Sequence, residues 1–260
     1  NWKKSKITKP SFLGTHNLES ISISSLRPYI DWTPFFKSWS LAGSYPKILD
    51  DKIVGEAATQ LFKDANQMLD DMEKSNKISN KSVIGFWPAS QDNKNQVKVF
   101  KDEKRKDVIA TLNFPRQQRF QGEGNPNLSL SDFIAPEDKK IKDYIGAFAV
   151  TSGLGVEEEC INLEKNNDDY SSIMLKAIAD RLAESLAEYV HEIVRKELWG
   201  YARGEELSNQ QLIKEKYIGI RPAPGYPACP DHTEKNTIFS LLEATKNVGV
   251  KLTESLAMYP

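Results

Sequence analysis

The residues best suited to chemistry lie in one stretch, Gly219-Ile-Arg-Pro-Ala-Pro-Gly-Tyr-Pro-Ala-Cys-Pro230. Four prolines between positions 222 and 230 fix φ and remove backbone donors, which excludes a helix or a central strand. Each residue before a proline is also pushed toward extended geometry. The expectation is a stiff, extended strip, ordered before any ligand arrives, with the backbone groups of Ala223 left to hydrogen-bond another molecule. Gly225 permits close approach, Arg221 supplies a planar fork for a carboxylate, and Tyr226 supplies an aromatic face. Two other readings stay open. The strip could be a rigid connector between helices, or a polyproline ligand, because Pro224, Pro227 and Pro230 are spaced PxxPxxP.

A second concentration is Arg27-Pro-Tyr-Ile-Asp-Trp-Thr-Pro-Phe-Phe36, which sets four aromatics around the single carboxylate of Asp31. From composition alone it reads first as a core anchor with Asp31 capping a turn. Nucleotide-binding loops are not supported: neither GxGxxG nor GxxxxGK[ST] occurs, and Gly153-Leu154-Gly155 is followed by Glu158 where a third glycine would stand. Cys160 and Cys229 are far apart, and His16, His191 and His232 are scattered, so no disulfide framework or zinc site is expected. That pattern points to a reducing, cytoplasmic compartment.

Composition bounds the rest. With 260 residues, 39% apolar and 27% charged, the chain can bury a substantial core and is not disordered. Its 35 basic and 36 acidic side chains nearly cancel, which argues against a dedicated nucleic-acid surface. No apolar run reaches the roughly 18 residues a membrane helix needs. The start, Asn1-Trp2-Lys3-Lys4, lacks a Met and a signal-peptide pattern and reads as a cut from a longer chain.

The elements that must position these groups follow from periodicity. Residues 1–22 read as a lead-in segment, and residues 23–260 as one domain. Val54, Ala57, Ala58, Leu61, Phe62, Ala65, Met68, Leu69 and Met72 recur at helical spacing. Ser82 to Ala89 reads as a strand stopped by Pro88; Gln96–Phe100 and Val108–Leu112 read as a hairpin. Ile145 to Thr151 is almost wholly apolar and is expected to be buried on both faces. The longest helix is expected from about Asp169 to Trp199, stopped by Gly200. Ser208 with Gln211 opens a short helix through Tyr217, and Asp231 with Glu234 one to about Asn247. Val250 to Met258 reads as a last strand. The expectation is an α+β single domain: a twisted, mostly antiparallel sheet flanked by helices, one of them long, near 169–199.

Arg221-Pro-Ala-Pro-Gly-Tyr226 also matches an RxxxGY signature, and further landmarks stand around it in order. They are Tyr29-Ile-Asp-Trp-Thr-Pro-Phe-Phe36, Val83-Ile-Gly-Phe-Trp-Pro-Ala89, Arg116-Gln-Gln118, Ser131-Asp-Phe-Ile-Ala-Pro136, Asp169-Tyr-Ser-Ser-Ile-Met174, Asp231-His-Thr-Glu-Lys235 and Leu252-Thr-Glu-Ser-Leu-Ala-Met258. Across nearly its whole length the chain resembles the S-adenosylmethionine-binding reactivation domain of cobalamin-dependent methionine synthase. The resemblance implies a module that presents S-adenosylmethionine to inactive cob(II)alamin, with an electron from flavodoxin or a diflavin reductase.

It also implies site residues. Arg221 would pair with the ligand carboxylate, the Ala223 backbone would read the adenine edge, and Asp31 would favour the cationic amino end. Glu184 and Glu215 match acidic positions near the ligand; Gly225 and Tyr226 belong to the signature, with Tyr226 expected on the methyl-transfer face. Cobalamin and zinc would belong to other domains of the parent enzyme, a 5-methyltetrahydrofolate–homocysteine methyltransferase, with the cobalamin domain as partner. No catalysis by this chain alone, no nucleic acid and no membrane are expected. The family continues past the final landmark with another strand, a tyrosine contact and a helix, so the stop at Tyr259-Pro260 reads as a C-terminal truncation. A rival reading is a docking module for the cobalamin domain or flavodoxin that no longer binds S-adenosylmethionine. Lys98, Lys101, Lys104, Arg105 and Lys106 would be its basic surface.

Overall fold

A computed structural model describes residues 2, 7–18, 21–92, 95–119 and 122–260. Part of the expected lead-in, residues 1, 3–6, 19 and 20, lies outside them. In chain order the elements are β1 (Gly14–Leu18), α1 (Ile23–Leu26), α2 (Trp32–Ser38), α3 (Gly55–Ser75), β2 (Ser79–Gln91), β3 (Gln96–Phe100), β4 (Val108–Asn113) and β5 (Asp143–Leu154). Then come α4 (Val156–Lys165), α5 (Asp169–Ile193), α6 (Asn209–Ile213), α7 (Glu234–Leu242), α8 (Ala244–Val248), β6 (Lys251–Leu252) and β7 (Met258–Tyr259).

The antiparallel sheet is organised on β2. Along one edge β2 pairs with β5 from Ser79↔Leu154 to Ala89↔Asp143. Along the other it is shared by two strands: β1 pairs with Ser82 to Phe86, and β3 with Ala89 to Gln91. This arrangement corrects two expectations. The lead-in contributes β1, and β2 runs through Pro88 instead of stopping there. Pro88 is tolerated because it falls between the end of the β1 ladder at Phe86 and the start of the β3 ladder at Ala89, where no backbone donor is required.

Side-chain alternation along β2 and β5 makes two cores. Ile84, Phe86, Phe148 and Val150 face a helical layer that contributes Phe35, Phe36, Leu61, Leu69, Ile178, Leu182 and Leu186. Val83, Trp87, Ala89 and Ala149 face the opposite way, onto Leu242, Ala244 and Val248 of α7 and α8. Both faces of β5 are therefore covered, as its apolar run suggested. Many of its residues remain only half-buried, because it is an edge strand that pairs with β2 alone among the described strands.

α3 and α5 form where the apolar stripe predicts them. Ala58, Leu61, Ala65, Leu69 and Met72 bury one face of α3. Asp168 caps α5 by accepting from Ser171 N–H at 3.0 Å. The expected helix reaches Leu198, but its last turn, Val194–Leu198, is π-helical, and Gly200 leaves it at φ +74°.

The shorter elements depart further from expectation. α6 stops at Ile213 and not at Tyr217, and Glu215 takes φ +52°. The helix after Asp231 breaks at Glu243, φ +47°, into α7 and α8. Glu234 does not cap it: the carboxylate is buried and accepts from Asn113 N–H and Nδ2, both at 3.0 Å, which ties α7 to β4. Residues 250–258 form no single strand but a tight hairpin of β6 and β7.

Arg116, one of the landmarks, is structural in this setting. It makes a two-pronged pair with Asp132 at 2.6 Å and 2.6 Å and reaches Asn95 and the Asn127 carbonyl, closing the long loop after β4. Phe36 is 0% exposed in the helical core. Phe36→Ala is expected to cost about 3–5 kcal/mol of unfolding free energy, read as a lower urea midpoint at unchanged m-value.

Candidate functional site

The π-helical turn at the end of α5 carries Arg195, whose side chain has no solvent exposure. A buried guanidinium is tolerated only when its charge and donors are met internally. Nε and Nη2 donate to Glu205 Oε1 at 2.8 Å and 2.6 Å, and the cation lies 4.5 Å from the Tyr217 ring centroid. Nη1 is 2.7 Å from His191 Nδ1. An arginine can only donate, so His191 Nδ1 accepts and the imidazole carries its proton on Nε2. Burial, with Arg195 and then Arg221 nearby, pushes the His191 pKa down to about 3.

Arg221 joins this cluster from the chain segment after α6. Its Nη2 donates to Glu188 Oε2 at 2.9 Å, and Glu188 Oε1 lies 3.9 Å from Arg195 Nη1. Glu188 thus stands between two cations. Burial raises its pKa, the two arginines oppose that rise, and Glu192 and Glu215 add to it. Glu215 therefore belongs to the same electrostatic cluster as Arg221.

Asp31 approaches from another side. The Tyr29 ring packs edge-on against Tyr189 at 5.6 Å, burial and then the neighbouring Glu192 push its phenol pKa up, and the Ile30 carbonyl accepts from Asn209 Nδ2 at 3.3 Å. Asp31 itself caps α2, accepting from Thr33 N–H at 3.0 Å. Glu184 is exposed on α5, one turn before Glu188 and on the same face. No hydrogen bond or ion pair among the described residues joins Asp31 or Glu184 to Arg221.

The proline segment is not the extended strip that its composition suggested. Tyr226 N–H donates to the Ala223 carbonyl at 3.2 Å, Cys229 N–H to the Tyr226 carbonyl at 2.9 Å, and Gly225 N–H to the Cys229 carbonyl at 2.7 Å. These bonds fold residues 223–229 into consecutive turns. The segment is exposed, as a polyproline ligand would be, yet the turns remove the single extended face that PxxPxxP recognition uses. They also engage the Ala223 carbonyl internally, while its N–H takes no part in these turns.

Gly225 has φ +102°, and a Cβ there would stand 2.4 Å from the His232 ring. Lys235 closes this arrangement: its buried ammonium is 3.0 Å from His232 Nδ1 and donates to the Leu256 carbonyl at 2.7 Å. Tyr226 projects outward, 63% exposed. Two open grooves, one beside Tyr189 and Ile193 and one between β4 and α7, have uncharged linings that include neither Arg221 nor Glu188.

Residues 22–260 match the family described as vitamin B12 dependent methionine synthase, activation domain. This chain belongs to that family. It is also similar to a solved structure described as the crystal structure of the MetH reactivation domain bound to AdoHcy (S-adenosylhomocysteine). The identity is 51% over 100% of this chain and 79% of that one, with a TM-score of 0.96.

In this activation domain the sequence points to Arg221 but not to the residues that hold it. Glu188, His191, Arg195, Glu205 and Tyr217 were missed. A signal existed: Glu188, His191 and Arg195 follow each other at three- and four-residue steps, so they share one helix face. The basic hairpin reads differently in three dimensions. Lys98 is paired with Glu137 at 2.8 Å, and Arg105 turns inward to the Ala89 and Asp143 carbonyls at 2.8 Å and 2.5 Å. No group of three or more His, Cys, Asp or Glu suited to a metal occurs among the described residues.

His191 ties stability to pH. Its folded pKa lies near 3 against an ordinary 6.5, so above 6.5 it is neutral in both states and contributes no slope. As pH falls through 6.5 the unfolded chain gains a proton that the folded chain does not, and stability drops by at most about 1.4 kcal/mol per unit. Urea unfolding at pH 7 and pH 5 is expected to show that loss, and His191→Gln to flatten it. An undiminished slope in the variant would assign it to other groups.

Proposed function

We propose that this activation domain binds S-adenosylmethionine at the Arg221 cluster and holds it for reductive reactivation of the parent enzyme's cobalamin. The observation that carries the reading is the Arg221–Glu188 pair, a guanidinium fixed against a half-buried carboxylate and flanked by further acids. The similar structure bound to AdoHcy supports the ligand class.

The donor set fits such a ligand, which carries a carboxylate, an ammonium and a sulfonium and so needs charges of both signs. Arg221 is the group for the carboxylate. Asp31, at the start of α2, suits the ammonium. Glu184 and Glu215 add negative potential for the cationic centre. Ala223 N–H can read an adenine acceptor, Gly225 lets the turn take its positive φ with the His232 ring packed against it, and the exposed Tyr226 ring can line the face where methyl transfer occurs. When bound, S-adenosylmethionine supplies an electrophilic methyl group. The domain's own residues bind it, orient it and set the local field; none of them enters the chemistry.

Membership of the methionine synthase family places the domain in a methyltransferase context. The finer assignment is part of the proposal: a 5-methyltetrahydrofolate–homocysteine methyltransferase of methionine biosynthesis, with cobalamin and zinc in its other domains. The cobalamin domain of the same chain would receive the methyl group, and flavodoxin or a diflavin reductase would deliver the electron. Cys160 and Cys229, both buried and unpaired, suit a cytoplasmic setting. No helix among the described residues is long and apolar enough to cross a membrane.

A charge-assisted contact contributes about 1.5–3 kcal/mol, so Arg221→Ala should weaken S-adenosylmethionine binding roughly ten- to hundredfold. Calorimetric titration of the wild-type and variant chains measures this directly. Unchanged affinity would remove Arg221 from the site. Absence of saturable binding by the wild-type chain would favour a docking module.

A further inference from the structure

We propose that Glu188 is a positioning residue that orients Arg221 for the ligand carboxylate, an assignment that rests on the reading of Arg221 given above. Arg221 sits on a proline-rich segment outside any helix or strand, and a free arginine side chain keeps about 2 kcal/mol of rotamer entropy. Something must hold it if its fork is to meet a carboxylate in register. Glu188 does so. Its Oε2 accepts from Arg221 Nη2 at 2.9 Å, while Arg221 Nε is buried without a hydrogen-bond partner. One edge of the planar fork, Nε and Nη2, is thereby turned to the interior, which fixes the plane of the guanidinium.

Glu188 is itself held from below. Its other oxygen is buried, makes no hydrogen bond, and lies 3.9 Å from Arg195 Nη1. Arg195 cannot move, being fastened by Glu205, His191 and the Tyr217 ring. Acids and bases therefore alternate along the order Glu205, Arg195, Glu188, Arg221. Side-chain exposure along that order is 8%, 0%, 13% and 24%, so Arg195 is the innermost member and Arg221 the most exposed. Removing the Glu188 charge would leave two neighbouring arginines without the anion between them. Their repulsion would drive Arg221, the mobile one, away from its set position.

Carboxylate selectivity tests this, because a general structural defect would not alter it. The probes are S-adenosylmethionine and its decarboxylated analogue, which keeps the sulfonium, ammonium and adenosine, titrated calorimetrically into wild-type chain and Glu188→Gln. The wild-type chain should prefer the carboxylated ligand by about tenfold or more; the variant should lose most of that preference while binding the analogue within about twofold of wild type. A full preference retained in Glu188→Gln, or equal loss of both ligands, overturns the positioning role and leaves Arg221 as the carboxylate site. A wild-type chain that does not distinguish the two ligands overturns the Arg221 reading as well.

Should Glu188→Gln fail to fold by far-UV circular dichroism, Glu188→Asp gives the same comparison. Its shorter stem draws the carboxylate back from Arg221 Nη2, so a preference at least about threefold below wild type is expected. A wild-type preference there overturns the assignment.

Discussion

A guanidinium with no solvent contact has to find its whole compensation within the protein, and around Arg195 this requirement dictates local structure. Burying a cation costs several kcal/mol unless a counter-charge and hydrogen-bond acceptors are in place. The chain leaves the last turn of α5, supplies Glu205, and comes back to lay the Tyr217 ring against the same cation. His191 is kept neutral by its burial and then by the positive charge of Arg195 beside it. Such a network contributes arrangement more than net stability. It sets where the segment from Glu205 to Arg221 must run, and so where a surface arginine emerges.

The sheet provides the platform for that arrangement. β2 is the common member of every pairing except those of β3 with β4 and β6 with β7, and its two faces serve different cores. The face bearing Ile84 and Phe86 supports α5 and, through it, Glu188, His191 and Arg195. The face bearing Val83 and Trp87 supports α7 and α8, which carry Lys235. The two halves of the candidate site, the Arg221 cluster and the turns at 223–229, thus hang from opposite sides of one strand.

Much of the fold was legible because local pattern and tertiary demand agree in α3, in α5 and in the β3–β4 hairpin. It was illegible where neighbours decide. Pro88 stops a strand only if its nitrogen faces a partner, and here it faces the gap between two. The prolines from 222 to 230 restrict φ, but they do not forbid turns whose bonds are donated by Gly225, Tyr226 and Cys229, none of which is proline. Glu234 had the spacing of a cap and serves instead as a buried tether to β4. At the candidate site, Arg221 stood out through its signature. Glu188 looked like one more solvated helix carboxylate, because its significance comes from Arg195 seven residues on and Arg221 thirty-three residues away.

One detail bears on how the molecule would respond to a ligand. The Lys235 ammonium bonds at once to the His232 ring, which covers Gly225, and to the carbonyl of Leu256 in the terminal hairpin. Fluctuations of the 223–229 turns and of the hairpin are therefore not independent, since opening either one strips the lysine of an acceptor. By thermodynamic reciprocity, whatever quiets the turns also slows hydrogen exchange in β6 and β7, and whatever docks firmly against the hairpin pre-organises the turns. Order at one surface of this domain can in this way be set from another.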